Sequence, residues 1–233
     1  MSRTRFLLTA AALLTSALPM ERLAAQADPD RAVAGGGALP AGWRAQTDWS
    51  TRANQAPSLE NVKFVAMGNG LHATMGPAAI FWRDADTVSG GYHVVASITQ
   101  TKNPEHPEAY GILIGGRDLA GEGQAYTYFL VRGYDGKFSI RRRSGQKTRP
   151  TALVEWMSHD AVMKADTAAG GRATNELSIL VQGGQVSFMV NGKEVHKADA
   201  KDVDTAGIVG YRVNHNLDVH LGPLGIHPMR ASQ

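Results

Sequence analysis

The sequence predicts an all-β fold, an antiparallel sandwich of two sheets with very little helix. Apolar and polar residues alternate with a period of two from Val62 to Ile98 and again from Asn175 to Ile226, and no run there has helical spacing. The apolar positions are rich in β-branched and aromatic residues, and glycine-containing turn dipeptides recur about every ten residues, the punctuation of a sandwich or barrel. No motif returns at a fixed period, which argues against a propeller or solenoid.

The amino end reads as an export signal over residues 1–27. Arg3 and Arg5 precede an apolar run from Phe6 to Leu18, and Ala25-Gln26-Ala27 forms a small-residue cleavage site. That run is about a dozen residues long, short of the ~20 needed to cross a bilayer. The mature chain is expected to begin near Asp28, with no stable membrane span, in the periplasm or outside the cell. Residues 28–42 carry Gly, Ala and Pro without periodicity and are expected to form a flexible leader. Residues 43–230 then make one sandwich domain, a size that can bury a sufficient core. It must do so unaided, because the chain has no cysteine and therefore no disulfide. Without residues 1–27 the charge is 21 basic against 20 acidic side chains, which excludes general nucleic-acid binding.

Along the domain, VKFVA, a turn at Asn69-Gly70, LHATM, AAIFW, a break at Gly90-Gly91 and YHVVASI give the first strands. Loops follow at Lys102 to Glu108 and Arg117 to Gln124. The turn expected from Asp160 to Lys164, with Ser158 as its cap, crosses one end of the sandwich. The next two strands close across Gly183-Gly184, which places Val181 opposite Val186, Ile179 opposite Phe188 and Leu177 opposite Val190. A slip of one residue would turn that whole apolar set to solvent, so turn position and hydrophobic phase check each other. Closing the following hairpin at Asn191-Gly192 places Val195 opposite Phe188 and Glu194 opposite Met189.

The order of Asn175, strand, Gly183-Gly184, strand, Val190-Asn191-Gly192-Lys193, strand and Gly207-Ile208-Val209-Gly210 resembles the closing half of concanavalin A-like jelly-roll domains. That superfamily includes legume lectins, laminin-G-like modules, family 16 glucanases and bacterial 3-keto-disaccharide hydrolase-like domains. The resemblance implies a jelly roll, and a carbohydrate as ligand or substrate.

The hairpin from Ala125 to Ser144 is the candidate ligand surface. Pairing Val131 with Phe138 and Phe129 with Ile140 buries one face and sends Tyr126, Tyr128, Arg132, Ser139, Arg141 and Arg143 to the other. A tyrosine ring can stack on a pyranose while guanidinium groups take its hydroxyls or a carboxylate. Equally, tyrosine and arginine can stack on one another across the strands. Arg141, Arg142, Arg143, Lys147 and Arg149 form a cationic run that suits an anionic glycan, although such runs commonly line a solvated face.

Catalytic and metal motifs are missing. The jelly-roll glucanases use E-x-D-x-x-E, which does not occur in this chain. Asp84 and Asp86 have strand spacing beside Trp82, but RDADTVSG reads as a turn. Glu105 with Glu108, and Asp118 with Glu122, sit in loops that could offer oxygens to calcium without matching a recognised calcium loop. His215, Asp218 and His220 supply too few ligands for zinc, and His72 and His93 stand singly on strands. No cofactor is called for. The expectation is an exported lectin-like domain that binds carbohydrate or another envelope ligand on its concave sheet. The alternatives are a hydrolase or lyase using Asp84, Asp86, Glu105 or Asp118, and a purely structural envelope protein.

Overall fold

A computed structural model of the chain describes residues 30–229. The export signal and the start of the leader lie outside the described residues. The strands are β1 (Arg44–Thr47), β2 (Val62–Met67), β3 (Gly70–Met75), β4 (Ala79–Val88), β5 (Tyr92–Gln100), β6 (Tyr110–Arg117), β7 (Ala125–Arg132), β8 (Lys137–Ser144), β9 (Thr151–Ser158), β10 (Ala173–Gln182), β11 (Gln185–Val190), β12 (Lys193–Asp199), β13 (Gly207–Val213), β14 (Asp218–Leu221) and β15 (Gly225–Pro228). Helix among the described residues is confined to two single 3-10 turns, Leu59–Asn61 and Ala200–Asp202.

Two antiparallel sheets stack face to face. The first runs β1-β4-β13-β6-β7-β8-β9 and the second β12-β11-β10-β5-β14-β3-β2, with β15 continuing along the β5 edge that β14 leaves. Inward side chains of both sheets fill the space between them, which is the area term that holds a disulfide-free sandwich together. Phe64 of β2 lies flat on Phe81 of β4 with ring centroids 4.1 Å apart, and Phe129 of β7 meets Phe188 of β11 edge-on at 5.4 Å. Each pair links one sheet to the other.

The hairpin registers follow the turn chemistry. Leu177, Ile179 and Val181 pair with Val190, Phe188 and Val186, as the Gly183-Gly184 turn demands, and both glycines have positive φ. Glu194 faces Met189 as expected, but a bulge then brings His196 rather than Val195 opposite Phe188. One extra residue in β12 is enough to displace the pairing. The β2–β3 turn is Gly68-Asn69, one residue earlier than Asn69-Gly70, because Gly68 takes the positive φ and Gly70 pairs with Met67.

Other expectations need correction. RDAD is no turn: β4 continues to Val88, and residues 83–86 bulge out where its register on β13 jumps from Gly210↔Trp82 to Ile208↔Thr87. From Asp30 onward the leader is held against the sandwich. Arg31 donates from its Nε to the Met75 carbonyl at 2.8 Å and from its Nη2 to that of Leu217 at 2.7 Å, and the Val33 N–H donates to Asn61 Oδ1. The turn after β9 does cross one end of the sandwich, but His159 Nδ1, not Ser158, accepts the Ala161 N–H. Asn175 secures that turn from beneath: its Oδ1 accepts the Met163 N–H and its Nδ2 donates to the Met163 carbonyl and to the Tyr110 hydroxyl.

Gly115 sits in the bulge where β6 passes β13, with φ +65, and a Cβ there would lie 2.2 Å from the Asp204 carbonyl oxygen. Both the backbone region and the space exclude a side chain. Gly115→Ala is expected to destabilise the domain by about 2 kcal/mol or more, read as a lower urea midpoint at unchanged m.

Candidate functional site

Tyr126, Tyr128, Arg132, Ser139, Arg141 and Arg143 all project from the outer face of the seven-stranded sheet, and the expected pairing of Val131 with Phe138 sets Tyr128 opposite Arg141 and Tyr126 opposite Arg143. The face they share is not open. Tyr126 is 0% and Tyr128 3% exposed, packed with Ile80, Trp82, Leu113, Leu119 and Leu130 into a second apolar cluster on this side of the sheet. Neither phenol can stack on a sugar, which corrects that expectation. Strand alternation tells which face a residue takes; it does not tell what lies over that face.

What lies over it includes the segment leaving β1. Asp48, just past β1, accepts from Arg212 of β13 through both carboxylate oxygens, at 2.5 and 2.7 Å, and from Arg143 at 3.2 Å. Arg212 in turn sits 5.7 Å over the Tyr128 ring. The Thr47 hydroxyl ties the segment's return to the Pro57 carbonyl, and Ser50 bridges Gln55. Burial works to raise the Asp48 pKa, but the guanidinium groups of Arg212 and Arg143 outweigh it and hold the carboxyl below its usual range. Burial pushes the Tyr126 phenol up to about 12, and its hydroxyl has no hydrogen-bond partner among the described residues.

Arg143 is 5% exposed, and its Nη1 also donates to the carbonyls of Gln146 and Thr148. Ser139 is fully buried and donates to the Val154 carbonyl. These two are therefore withdrawn from the contact surface as well. Arg132 and Arg141 do reach its rim, both beside Trp156 of β9. Arg132 lies 4.4 Å and Arg141 5.8 Å from the indole centroid. Asp135 grips Arg132 through two hydrogen bonds of 2.8 and 2.6 Å, and Glu155 holds Arg141 at 3.2 Å. Trp156 is partly exposed, and sequence reasoning missed it. The β8–β9 register shifts twice, between Phe138 and Ile140 and between Ile140 and Arg141, so no alternation count could place it.

The cationic run does not form one patch. Arg141 pairs with Glu155, Arg142 with Asp204, Arg143 with Asp48 and Lys147 with Glu122. The chain's four tryptophans likewise each carry a cation over the ring: Arg83 on Trp43, Lys147 on Trp49, Arg44 on Trp82 and Arg132 on Trp156.

The candidate acids have structural partners. Asp84 accepts from Arg44 and from the Trp82 indole N–H, and Arg83 grips Asp86 at 2.7 and 2.9 Å. Asp118 accepts the Gly123 N–H within its own loop, and Glu108 pairs with His215 at 2.6 Å. Glu105 lines a hollow of about 360 Å³ beside Asp30 and Asn216. Among the described residues no group of three His, Asp or Glu side chains gathers as a metal-ligating set. His93 lies beside His227, their ring centroids 6.1 Å apart, and His72 meets His220 edge-on at 4.8 Å.

The carbohydrate-binding module CBM66 from Bacillus subtilis superposes on 85% of this chain and all of its own, with a TM-score of 0.56 at 10% identity. A family 16 endo-glucanase from Bacteroides ovatus covers 79% of this chain and 94% of its own, with a TM-score of 0.53 at 10% identity. The β-glucanase of Bacillus licheniformis covers 82% and 94%, with a TM-score of 0.50 at 12% identity. The fold is a concanavalin A-like jelly roll. No protein-family model and no curated protein sequence matches the chain. At these identities the concanavalin A-like likeness extends to the backbone and not to the site.

Proposed function

We propose that the chain is an exported carbohydrate-binding domain whose contact surface is the rim of the seven-stranded sheet at Trp156, Arg132 and Arg141. One observation carries this location: an indole reachable from solvent has two guanidinium groups within 6 Å of its ring centroid, and Asp135 and Glu155 hold those groups in place. An apolar ring, N–H donors and carboxylate acceptors are thereby fixed before any ligand arrives, which lowers the ordering cost of binding. Since each guanidinium at this rim already has its acid, the surface suits neutral sugars. The amino-terminal pattern of Arg3, Arg5 and the Phe6 to Leu18 run supports export.

A glycoside hydrolase needs two carboxyls flanking the scissile bond, the acid with a raised pKa. Asp84 and Asp86 are engaged by arginines, and the carboxyls whose pKa clearly departs from the ordinary value, Asp48, Glu122, Asp135, Glu194, Asp199 and Asp218, all move down. Those facts favour the binding reading over the catalytic one.

The test is a glycan array with the mature chain, followed by titration of the best ligand. Trp156→Ala is expected to weaken binding by about tenfold or more, equivalent to ~1.4 kcal/mol. Tyr128→Phe, which alters only a sealed phenol, should leave it unchanged. Full affinity in Trp156→Ala overturns the location.

A further inference from the structure

The opposite side of the molecule carries a second constellation that the rim at Trp156 does not use. On the outer face of the second sheet, the cross-strand register aligns Lys63 of β2, Thr74 of β3 and Asp218 of β14 in one row. The adjoining row runs from His72 through His220 and Thr99 to Thr174. Arg31 arrives from the amino-terminal segment and Lys102 from the loop after β5, and both reach Asp218, at 2.9 and 3.5 Å. Together Arg31, Lys63, Lys102, His72, Thr74 and Asp218 surround a hollow of about 350 Å³.

The charge balance of this hollow differs from that of the rim. Three permanent cations face one carboxylate, and that carboxylate is already occupied by Thr74, at 3.0 Å, and by Arg31. Asp218 titrates well below the ordinary carboxylate range: burial opposes this, and the His72 ring at 3.7 Å, the Arg31 guanidinium and the Thr74 hydroxyl around it prevail. It therefore stays an anion that pairs with Arg31 and, at 3.5 Å, with Lys102, so one carboxylate answers three cations and Lys63 is left over. Lys63 makes no ion pair with any described residue, and the Lys102 side chain is 72% exposed. The adjoining hollow shares Arg31, Lys102 and Asp218 and adds the acids Asp30 and Glu105, so the excess of positive charge is local to the Lys63 side.

We propose that the hollow between Lys63, Lys102 and His72 binds the anionic substituent of an acidic glycan, a sulfate or a carboxylate. Lysines act there as point charges that accept either geometry, and the Thr74, Thr99 and Thr174 hydroxyls with the two imidazoles offer hydrogen-bonding partners for the sugar around it. The site is separate from the rim at Trp156 and stands or falls independently of it.

The experiment is titration of the mature chain with inorganic sulfate, with glucuronate and with a neutral glucose oligomer, following the His72 and His220 ring resonances. Saturable shifts with sulfate or glucuronate, and none with the neutral oligomer, are expected; which anion acts identifies the substituent. Lys63→Ala with Lys102→Ala should weaken that binding at least tenfold and leave the thermal midpoint in place, because neither lysine is packed. Trp156→Ala should leave it unchanged, so failure of the rim and failure of this hollow are told apart. No saturable shift with either anion, or full affinity in the double lysine variant, overturns the proposal.

Discussion

Asp48→Ala is expected to destabilise the domain by about 3 kcal/mol, at the low end for breaking a buried pair because the Asp48 side chain is itself 28% exposed. The loss comes from what remains: Arg212 and Arg143, each with only 6% of the side chain exposed, keep their charges beside Tyr126 and Tyr128 with no carboxylate to meet them. At ~2–4 °C per kcal/mol for a chain of this size, the thermal midpoint should fall by about 6–12 °C. Removing charge from both sides, with Asp48→Leu and Arg212→Met together, should restore part of that loss, since apolar replacements of a buried pair cost little. A double variant no better than Asp48→Ala alone would mean that shape, not charge, is what the cluster contributes.

The same carboxyl sets an acid limit. Asp48 and Asp218 both titrate lower in the folded chain than in the unfolded one. Their contribution is complete above about pH 4 and is lost as the pH falls through the depressed folded values. Urea midpoints measured from pH 6 downward should therefore decline below about pH 4, and Asp48→Ala should decline less steeply than the parent.

Asn175→Ala is the second large effect, about 2–4 kcal/mol, since it removes one side chain that serves four partners in a fully buried place. Tyr110, both backbone groups of Met163, and Asn191, which gives Asn175 Oδ1 a hydrogen bond of 3.0 Å, would all lose a contact. Asn175→Leu fills the volume without the bonds and should cost nearly as much. Hydrogen exchange at Ala161, Val162 and Met163 should accelerate before that of β10, because the turn across the sandwich end is what Asn175 holds. Equal protection throughout would show that the turn is secured by the Asn191 Nδ2 bond to the Ala161 carbonyl instead.

The fold was legible because turns and hydrophobic phase are local properties that happen to agree: Gly183-Gly184 and the alternation on both sides of it permit one register, and the chain adopts it. Departures occur where a bulge intervenes, as at Val195 and at residues 83–86, since the number of residues in a bulge has no imprint on the apolar pattern. The site was less legible for a different reason. Tyr126 and Tyr128 were placed on the correct face, yet their exposure depends on Asp48, about eighty residues away, and on Arg212, more than eighty residues further on. Trp156 escaped notice because two register shifts decide where it points.

Arg31 grips the carbonyl of Leu217, 186 residues along the chain, and the carboxylate of Asp218. A polypeptide emerging amino end first can form hairpins such as β7–β8 as soon as they appear, but this clasp stays unmade until nearly the last strand has cleared the exit. Until then β3 and β5 each show a bare edge where β14 belongs. Both edges are therefore closed, and the amino-terminal segment pinned, only after nearly the whole domain has been made.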